Sequence, residues 1–203
     1  KLTKSQQKVI NEIEIDLQSK NKMFRILQGD VGSGKTIVSL IGVANVVESG
    51  YQCAFMAPTS ILAIQHYELA RKIFKNINIK IALLTGKTDY KQKKEILKDL
   101  ENNKIDLVIG THSLFQKKII FKKLGFIIVD EQHKFGVKQR MDLAKKGGID
   151  CDILLMSATP IPRTMMLAVY GDMEISKITE KPLNRKKIIT LSKPEEKINE
   201  LMP

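Results

Sequence analysis

Short, continuously apolar runs alternate along this chain with longer segments in which apolar residues recur at helical spacing. The apolar runs predict strands over residues 23–28, 52–57, 80–84, 105–110, 126–129 and 153–156. The segments with helical spacing predict helices over residues 3–19, 37–48, 61–74, 90–102 and 164–169. Thr3 is a candidate N-cap for the first of these helices.

Alternation of this kind predicts an α/β fold. Continuously apolar strands separated by helices are typical of a mostly parallel sheet that carries helices on both faces. In such sheets ligands bind beyond the carboxyl ends of the strands. The most distinctive polar segments of this chain each follow directly after a predicted strand. We therefore expect the functional residues to meet at one edge of the sheet.

Length and composition limit the domain organisation. The 203 residues, 43% of them hydrophobic, fit one large domain or one domain with an appendage. No run of about 18 apolar residues is present, so no membrane span is expected. Residues 1–180 are predicted to form one domain; a polar, basic stretch then makes residues 181–203 a linker with the start of a further domain or a tail. The chain begins without Met and is expected to be part of a longer protein.

Charge and cysteine content add two expectations. The net charge of +12 suggests a polyanion partner such as nucleic acid, although a general bias towards lysine is the alternative. Cys53 and Cys151 lie in or beside apolar runs and are expected to be reduced thiols in the core. With no signal peptide at the start of the chain, they favour a cytoplasmic location. His66, His112 and His133 lack metal-ligand spacing, so no zinc site is expected.

Residues 29–36 match the phosphate-binding pattern G-x-x-x-x-G-K-[ST] between a predicted strand and a predicted helix. Glycines let the backbone approach a phosphate, and the N–H groups of the loop and of the helix start then cradle the anion. Lys35 is expected to reach the β- and γ-phosphates, and the Thr36 hydroxyl to coordinate Mg²⁺. The predicted nucleotide-binding residues of this loop are Gly29, Asp30, Val31, Gly32, Ser33, Gly34, Lys35 and Thr36.

Two carboxylates, Asp130 and Glu131, end the apolar run at 126–129. Beside a phosphate loop, Asp130 is expected to hold Mg²⁺ directly or through water. Glu131 is expected to orient and polarise the attacking water. Asp130, Glu131 and Lys35 are therefore the candidate catalytic residues for hydrolysis of a nucleoside triphosphate with Mg²⁺.

The small residues Ser157, Ala158 and Thr159 follow another strand, and two of them, Ser157 and Thr159, carry hydroxyl groups. In that position they can hydrogen-bond the carboxylates and sense the γ-phosphate, which predicts a coupling role. The alternative is an ordinary Ser/Thr turn. His133 lies three residues after Asp130 and is expected to link the hydrolysis site to a neighbouring surface.

Three further loops, at 57–60, 85–87 and 110–113, each end a strand with small polar residues and free backbone N–H groups. Such loops suit contacts to phosphodiester groups without reading of bases, although plain connecting loops are the alternative. The candidate residues for these phosphodiester contacts are Pro58, Thr59, Thr85, Gly86, Thr111 and His112.

Taken in order, these segments resemble the motifs of superfamily 2 helicases and, among them, of the RecG branch-migrating DNA helicases. Residues 2–6 are similar to the adenine-reading Q-type motif, and residues 57–66 to the motif that follows the phosphate loop. Residues 130–137 and 157–164 resemble the RecG forms of two later motifs, with Lys134 where Arg is more usual. The resemblance implies that Gln6 reads adenine and that Gln65 contacts DNA.

The same resemblance implies a RecA-like P-loop NTPase domain, the first motor domain of an ATP-dependent DNA helicase or translocase. Such helicases remodel branched DNA, including forks and Holliday junctions, in recombination and repair. The family adds a wedge domain and a second RecA-like domain with an arginine finger; a monomer is expected. One alternative is a transcription-repair coupling factor-type translocase, which shares the pattern at 160–164; the Asp-Glu-Gln-His sequence at 130–133 favours RecG. Another is a nucleotide-dependent DNA-binding module without turnover.

Overall fold

A computed structural model describes residues 2–116, 118–130, 151–159 and 173–180. The helices within these residues are α1 (Lys4–Gln18), α2 (Lys35–Glu48), α3 (Ser60–Ile73) and α4 (Tyr90–Glu101), with a 3₁₀ turn at His112–Phe115. The strands are β1 (Phe24–Gly29), β2 (Gln52–Met56), β3 (Ile81–Leu84), β4 (Leu107–Gly110), β5 (Leu124–Val129), β6 (Asp152–Ser157) and β7 (Glu174–Ile178).

These strands form one sheet in the order β3-β4-β2-β5-β6-β1-β7. Each pair of neighbours is parallel. All seven strands therefore end at the same edge, which we call the carboxyl edge. The predicted α/β fold with a parallel sheet is confirmed, and the candidate functional residues that follow the described strands lie at this edge.

The core has two layers because successive side chains of a strand point to opposite faces of the sheet. In β2, Cys53 and Phe55 join the layer beneath α1, α2 and α3, which includes Val9, Val43 and Ala63. Ala54 and Met56 join the opposite layer, which includes Ile96 and Leu100 of α4. Helices thus cover both faces of the sheet, as predicted.

Polar contacts join α1 to the edge of the sheet formed by β1 and β7. Arg25 of β1 is 7% exposed, and its Nε donates to Asp16 Oδ2 on α1 over 2.7 Å. Its Nη1 donates to Ser176 Oγ on β7 over 2.8 Å and lies 3.6 Å from Glu12 Oε2. The Ser176 hydroxyl donates in turn to Glu12. One buried guanidinium therefore connects a helix and two strands.

The predicted elements α1–α4 and β1–β6 are all present, with ends that differ from the predicted ones by at most two residues. Strand β7 was not predicted. The predicted helix at 164–169 and the proposed linker at 181–203 lie outside the described residues. Within the described ranges, no helix has both the length and the apolar character needed to cross a membrane.

Candidate functional site

The loop between β1 and α2 has the backbone conformation of an anion-binding turn. Gly32 and Gly34 have φ angles of 75° and 92°, in the left-handed region where glycine carries no Cβ penalty. Gly34 is also the N-cap of α2, which begins at Lys35. The N–H groups of the first helical turn have no partners within the helix, and they are available to an anion in front of the loop.

Close packing inside the loop fits this role. A Cβ on Gly29 would lie 2.6 Å from Ser33 Oγ and 3.2 Å from Ile178 Cβ, so a larger residue would displace the loop. Ser33 is 1% exposed, and its Oγ has no hydrogen-bond partner. A buried hydroxyl without a partner is costly in a folded protein. A phosphate group bound by this loop would give the Ser33 hydroxyl a hydrogen-bond partner.

Lys35 holds its ammonium group over this loop. Its Nζ donates to Gly29 O over 2.5 Å and to Asp30 O over 3.1 Å. Thr36, the second residue of α2, is half-buried. Both predicted phosphate and Mg²⁺ ligands are therefore positioned by the start of α2, directly after the turn that the glycines permit.

Gln6 connects α1 to the loop between β1 and α2. It is 5% exposed, and its Nε2 donates to Ser33 O over 2.8 Å. Its Oε1 accepts from Thr3 N over 2.9 Å, and Thr3 Oγ1 accepts from Gln6 N over 3.2 Å, which completes a capping box. Each atom of the amide makes one bond here and retains further bonding capacity. The adenine-reading role of Gln6 stays a prediction.

Asp130 lies directly after β5, two strands from β1 with β6 between them. Parallel neighbours are 4.7–4.9 Å apart, so the ends of β5 and β1 are about 10 Å apart. Asp130 is 8% exposed, and its backbone N donates to Met56 O on β2 over 2.8 Å. Its Oδ2 lies 2.8 Å from His66 Nε2. The sequence interpretation did not assign His66 to this carboxylate.

Ser157 ends β6, the strand between the phosphate loop and Asp130. Its Oγ donates to Thr159 O over 3.0 Å and accepts from Thr159 N over 3.2 Å. Ser157 is paired in register with Gln28 on β1, and Gln28 Nε2 is buried without a partner. Ala158 is half-buried between the two hydroxyl residues. The predicted coupling residues thus form a compact turn between the phosphate loop and Asp130. Their coupling role stays a prediction.

Most of the candidate DNA-binding residues lie on the other half of the carboxyl edge, directly after β2, β3 and β4, whereas Gln65 lies within α3. Thr59 is exposed and caps α3 by accepting from Leu62 N over 3.3 Å. Thr85 is 6% exposed, and its Oγ1 accepts from Lys87 N over 3.3 Å. Its backbone N donates to Thr88 Oγ1 over 2.9 Å, so this threonine stabilises its own turn. The remaining candidates are exposed or half-buried: Pro58, Gln65, Gly86, Thr111 and His112.

The predicted nucleotide residues therefore surround β1, β6 and β5, and the predicted DNA residues surround β2, β4 and β3. The two groups meet where β5 and β2 are neighbours. Glu131 and His133 lie outside the described residues, so their roles stay predictions. The same holds for the motif extension at 160–164.

The family model described as DEAD/DEAH box helicase matches residues 3–167 of this chain. The chain belongs to the DEAD/DEAH box helicase family. The match begins at the N-cap of α1 and includes the phosphate loop, Asp130 and the Ser157–Thr159 turn.

Within this helicase family the chain is similar to curated RecG proteins. It is 50% identical over 201 residues to the ATP-dependent DNA helicase RecG of Thermotoga maritima, covering 99% of this chain and 26% of that protein. It is 48% identical over 189 residues to RecG of Bacillus subtilis, covering 93% of this chain and 28% of that protein. The chain thus spans about a quarter of the length of these relatives. The resemblance to RecG helicases is confirmed.

Solved helicase structures share the fold. A structure of RecG bound to a three-way DNA junction superposes with a TM-score of 0.86 at 46% identity, covering 99% of this chain and 27% of that chain. A DEAD box protein from Methanococcus jannaschii superposes with a TM-score of 0.66 at 25% identity, covering 86% of this chain and 49% of that chain. The RecA-like helicase fold predicted from the resemblance is confirmed.

Proposed function

We propose that this chain is the first motor domain of an ATP-dependent DNA helicase that remodels branched DNA, such as forks and Holliday junctions, in recombination and repair. Residues 1–180 form the motor domain, and residues 181–203 lead into a second motor domain or a tail. The observation that carries this proposal is the phosphate cradle at the end of β1, with Asp130 on the same edge two strands away. The similarity to RecG proteins supports the choice of DNA substrate.

In this proposal the loop binds the triphosphate of ATP. The N–H groups at the start of α2 and the orphaned Ser33 hydroxyl donate to phosphate oxygens. Lys35 exchanges its bonds to Gly29 O and Asp30 O for bonds to the β- and γ-phosphates. Gln6 supports the loop through its bond to Ser33 O, and in this proposal it also reads the adenine.

Thr36 and Asp130 would hold the magnesium ion that accompanies ATP. Their hydroxyl and carboxylate oxygens are hard donors of the kind that Mg²⁺ prefers, and Mg²⁺ binds through one or two protein groups plus phosphate oxygens. When bound, the ion neutralises charge on the phosphates during hydrolysis. Glu131 then orients the attacking water as the general base.

The half of the edge formed by β2, β4 and β3 would bind the DNA backbone. The segments after these strands present exposed polar side chains, namely Thr59 at the N-cap of α3, Gln65 on α3 and His112 in the 3₁₀ turn. Contacts of this kind position a protein on DNA without reading its sequence. The Ser157–Thr159 turn and His133 would transmit the state of the nucleotide to this surface.

The proposed partners are branched DNA and two further domains of the same protein. A second RecA-like domain would supply an arginine to the γ-phosphate, which accelerates related NTPases by about 10³–10⁵-fold. A wedge domain would hold the branch point. We propose that the whole protein acts as a monomer in the cytoplasm, where DNA is accessible to it.

Isothermal titration calorimetry of this chain with Mg²⁺ and a non-hydrolysable ATP analogue tests the proposal, together with ATP hydrolysis with and without branched DNA. We expect binding with little turnover, because the arginine belongs to the second domain. Lys35→Ala should abolish binding, while Lys94→Ala, at an exposed position on α4, should leave it unchanged. Absence of binding by the unaltered chain, or normal binding by Lys35→Ala, would refute the proposal. Rapid DNA-stimulated turnover would show that the chain needs no second domain.

A further inference from the structure

One histidine contacts the carboxylate proposed to hold Mg²⁺. His66 lies on α3 and is 9% exposed. Its Nε2 lies 2.8 Å from Asp130 Oδ2, and both side chains are 11% exposed. An ionised carboxylate can only accept a hydrogen bond, so Nε2 carries the hydrogen and donates it. The bond joins residues that are 64 positions apart in the sequence.

Both partners are held in place by other parts of the fold. The His66 ring packs against Phe55 of β2 with ring centroids 4.6 Å apart and an interplanar angle of 43°. Asp130 is held through its backbone N, which donates to the carbonyl oxygen of Met56. Met56 is the residue after Phe55 on β2. Strand β2 therefore positions the histidine through a side chain and the aspartate through its main chain. The bond between them connects two groups that are already oriented.

We infer that His66 is a positioning residue that orients Asp130 for Mg²⁺. The inference rests on the proposed function, because it takes Asp130 as the residue that holds the ion. By donating to Oδ2, the imidazole would restrict rotation of the carboxyl group, and Oδ1 would remain for the ion or for a water bound to it. Partners that orient metal-binding side chains in this way typically contribute 10–100-fold to metal affinity or activity.

A purely structural role is the competing explanation, since a buried histidine that packs on a phenylalanine also stabilises the domain. Two substitutions separate the explanations. His66→Phe keeps a ring against Phe55 but removes the donor, and His66→Gln places an amide N–H near the position of Nε2. His66→Asn is the matched control for His66→Gln, because its shorter side chain cannot reach Asp130 with the same geometry.

The experiment measures binding of a fluorescent ATP analogue to this chain over a range of Mg²⁺ concentrations. We expect His66→Phe and His66→Asn to raise the Mg²⁺ concentration for half-maximal nucleotide binding by about 10-fold or more. His66→Gln should restore most of that loss. Nucleotide binding without Mg²⁺ should be the same in all four proteins, because the phosphate loop is unchanged. Circular dichroism melts confirm that each variant is folded.

The outcomes separate this inference from the proposed function. If the unaltered chain binds no nucleotide at any Mg²⁺ concentration, the proposed function fails. If it binds nucleotide and folded His66→Phe has the same Mg²⁺ midpoint, the inference about His66 is wrong. Should His66→Phe fail to fold, the comparison of His66→Gln with His66→Asn decides: equal midpoints would overturn the inference. A lower Mg²⁺ requirement in His66→Phe would also overturn it.

Discussion

Position 34 requires glycine both for its left-handed backbone conformation and for the lack of space for a side chain. Its φ angle is 92°, and a Cβ built on it would lie 2.3 Å from Gln6 Nε2. Gly34→Ala should therefore strain the backbone and break the bond from Gln6 to Ser33 O. We expect a loss of about 2–3 kcal/mol in the free energy of unfolding, from left-handed strain and one buried hydrogen bond. Urea denaturation measures that loss, and nucleotide titration should show weaker binding.

Gly50 is the matched control for this substitution. Its φ angle is 83°, but a Cβ there would meet no atom within 4 Å. Gly50→Ala should carry the backbone strain alone, about 1 kcal/mol, and leave nucleotide binding unchanged. Equal effects of the two substitutions would mean that contact with Gln6 contributes nothing at Gly34.

At the residue scale, features that depend on neighbouring residues could be predicted from the sequence, whereas contacts between distant residues could not. The Thr3 N-cap and the positions of Gly29–Thr36 follow from spacing along a few neighbouring residues. The bond from His66 to Asp130 depends on the order of strands in the sheet, which places β2 beside β5. Nothing in the spacing of histidines reveals that order. The contact of Gln6 with the Ser33 carbonyl was likewise beyond local pattern, although Gln6 itself was selected through the family resemblance.

At the scale of elements, Arg25 holds α1 onto the sheet. Replacing it with methionine keeps an unbranched side chain but leaves Asp16, Glu12 and Ser176 without their shared donor. We expect Arg25→Met to lower the free energy of unfolding by about 2–3 kcal/mol. This is less than for a fully buried pair, since the carboxylate side chains are 22% and 30% exposed. Chemical denaturation monitored by circular dichroism gives the value.

Lys8 provides the comparison, because it pairs with the same Glu12. Its Nζ lies 3.8 Å from Glu12 Oε1, and the lysine side chain is 78% exposed. An exposed helical ion pair contributes about 0.3–0.5 kcal/mol, so Lys8→Met should change stability very little. If Arg25→Met lowered the free energy of unfolding no more than Lys8→Met does, the buried network would not be what holds α1 on the sheet.

The sequence predicted the strands that contain a run of apolar residues and missed β7, which contains none. Strands β2, β4 and β5 are buried along their whole length, and their runs stand out in the sequence. Strand β7 lies at the edge of the sheet, and its burial alternates along five residues, Glu-Ile-Ser-Lys-Ile. Its polar residues resemble those of a loop. One of them, Ser176, is buried against Arg25, a partner 151 positions away.

At the scale of the whole molecule, each strand contributes to both layers of the core. In β5, Phe126 and Ile128 pack beneath α1–α3, whereas Ile127 and Val129 pack in the layer that includes α4. Neither layer can lose its packing without disturbing strands that the other layer needs. We therefore expect the two layers to unfold in one cooperative step.

The two cysteines test this, since Cys53 belongs to one layer and Cys151 to the other. Burial raises the pKa of Cys53 well above its ordinary value. Burial, reinforced by the neighbouring Asp152 charge, raises the pKa of Cys151 to about 12. Both thiols are therefore protonated and unreactive in the folded protein at neutral pH. Iodoacetamide labelling across a urea series, read separately for each cysteine by mass spectrometry, should give the same midpoint for both. A lower midpoint at Cys151 would mean that its layer opens first and that the sheet does not bind the two layers into one cooperative unit.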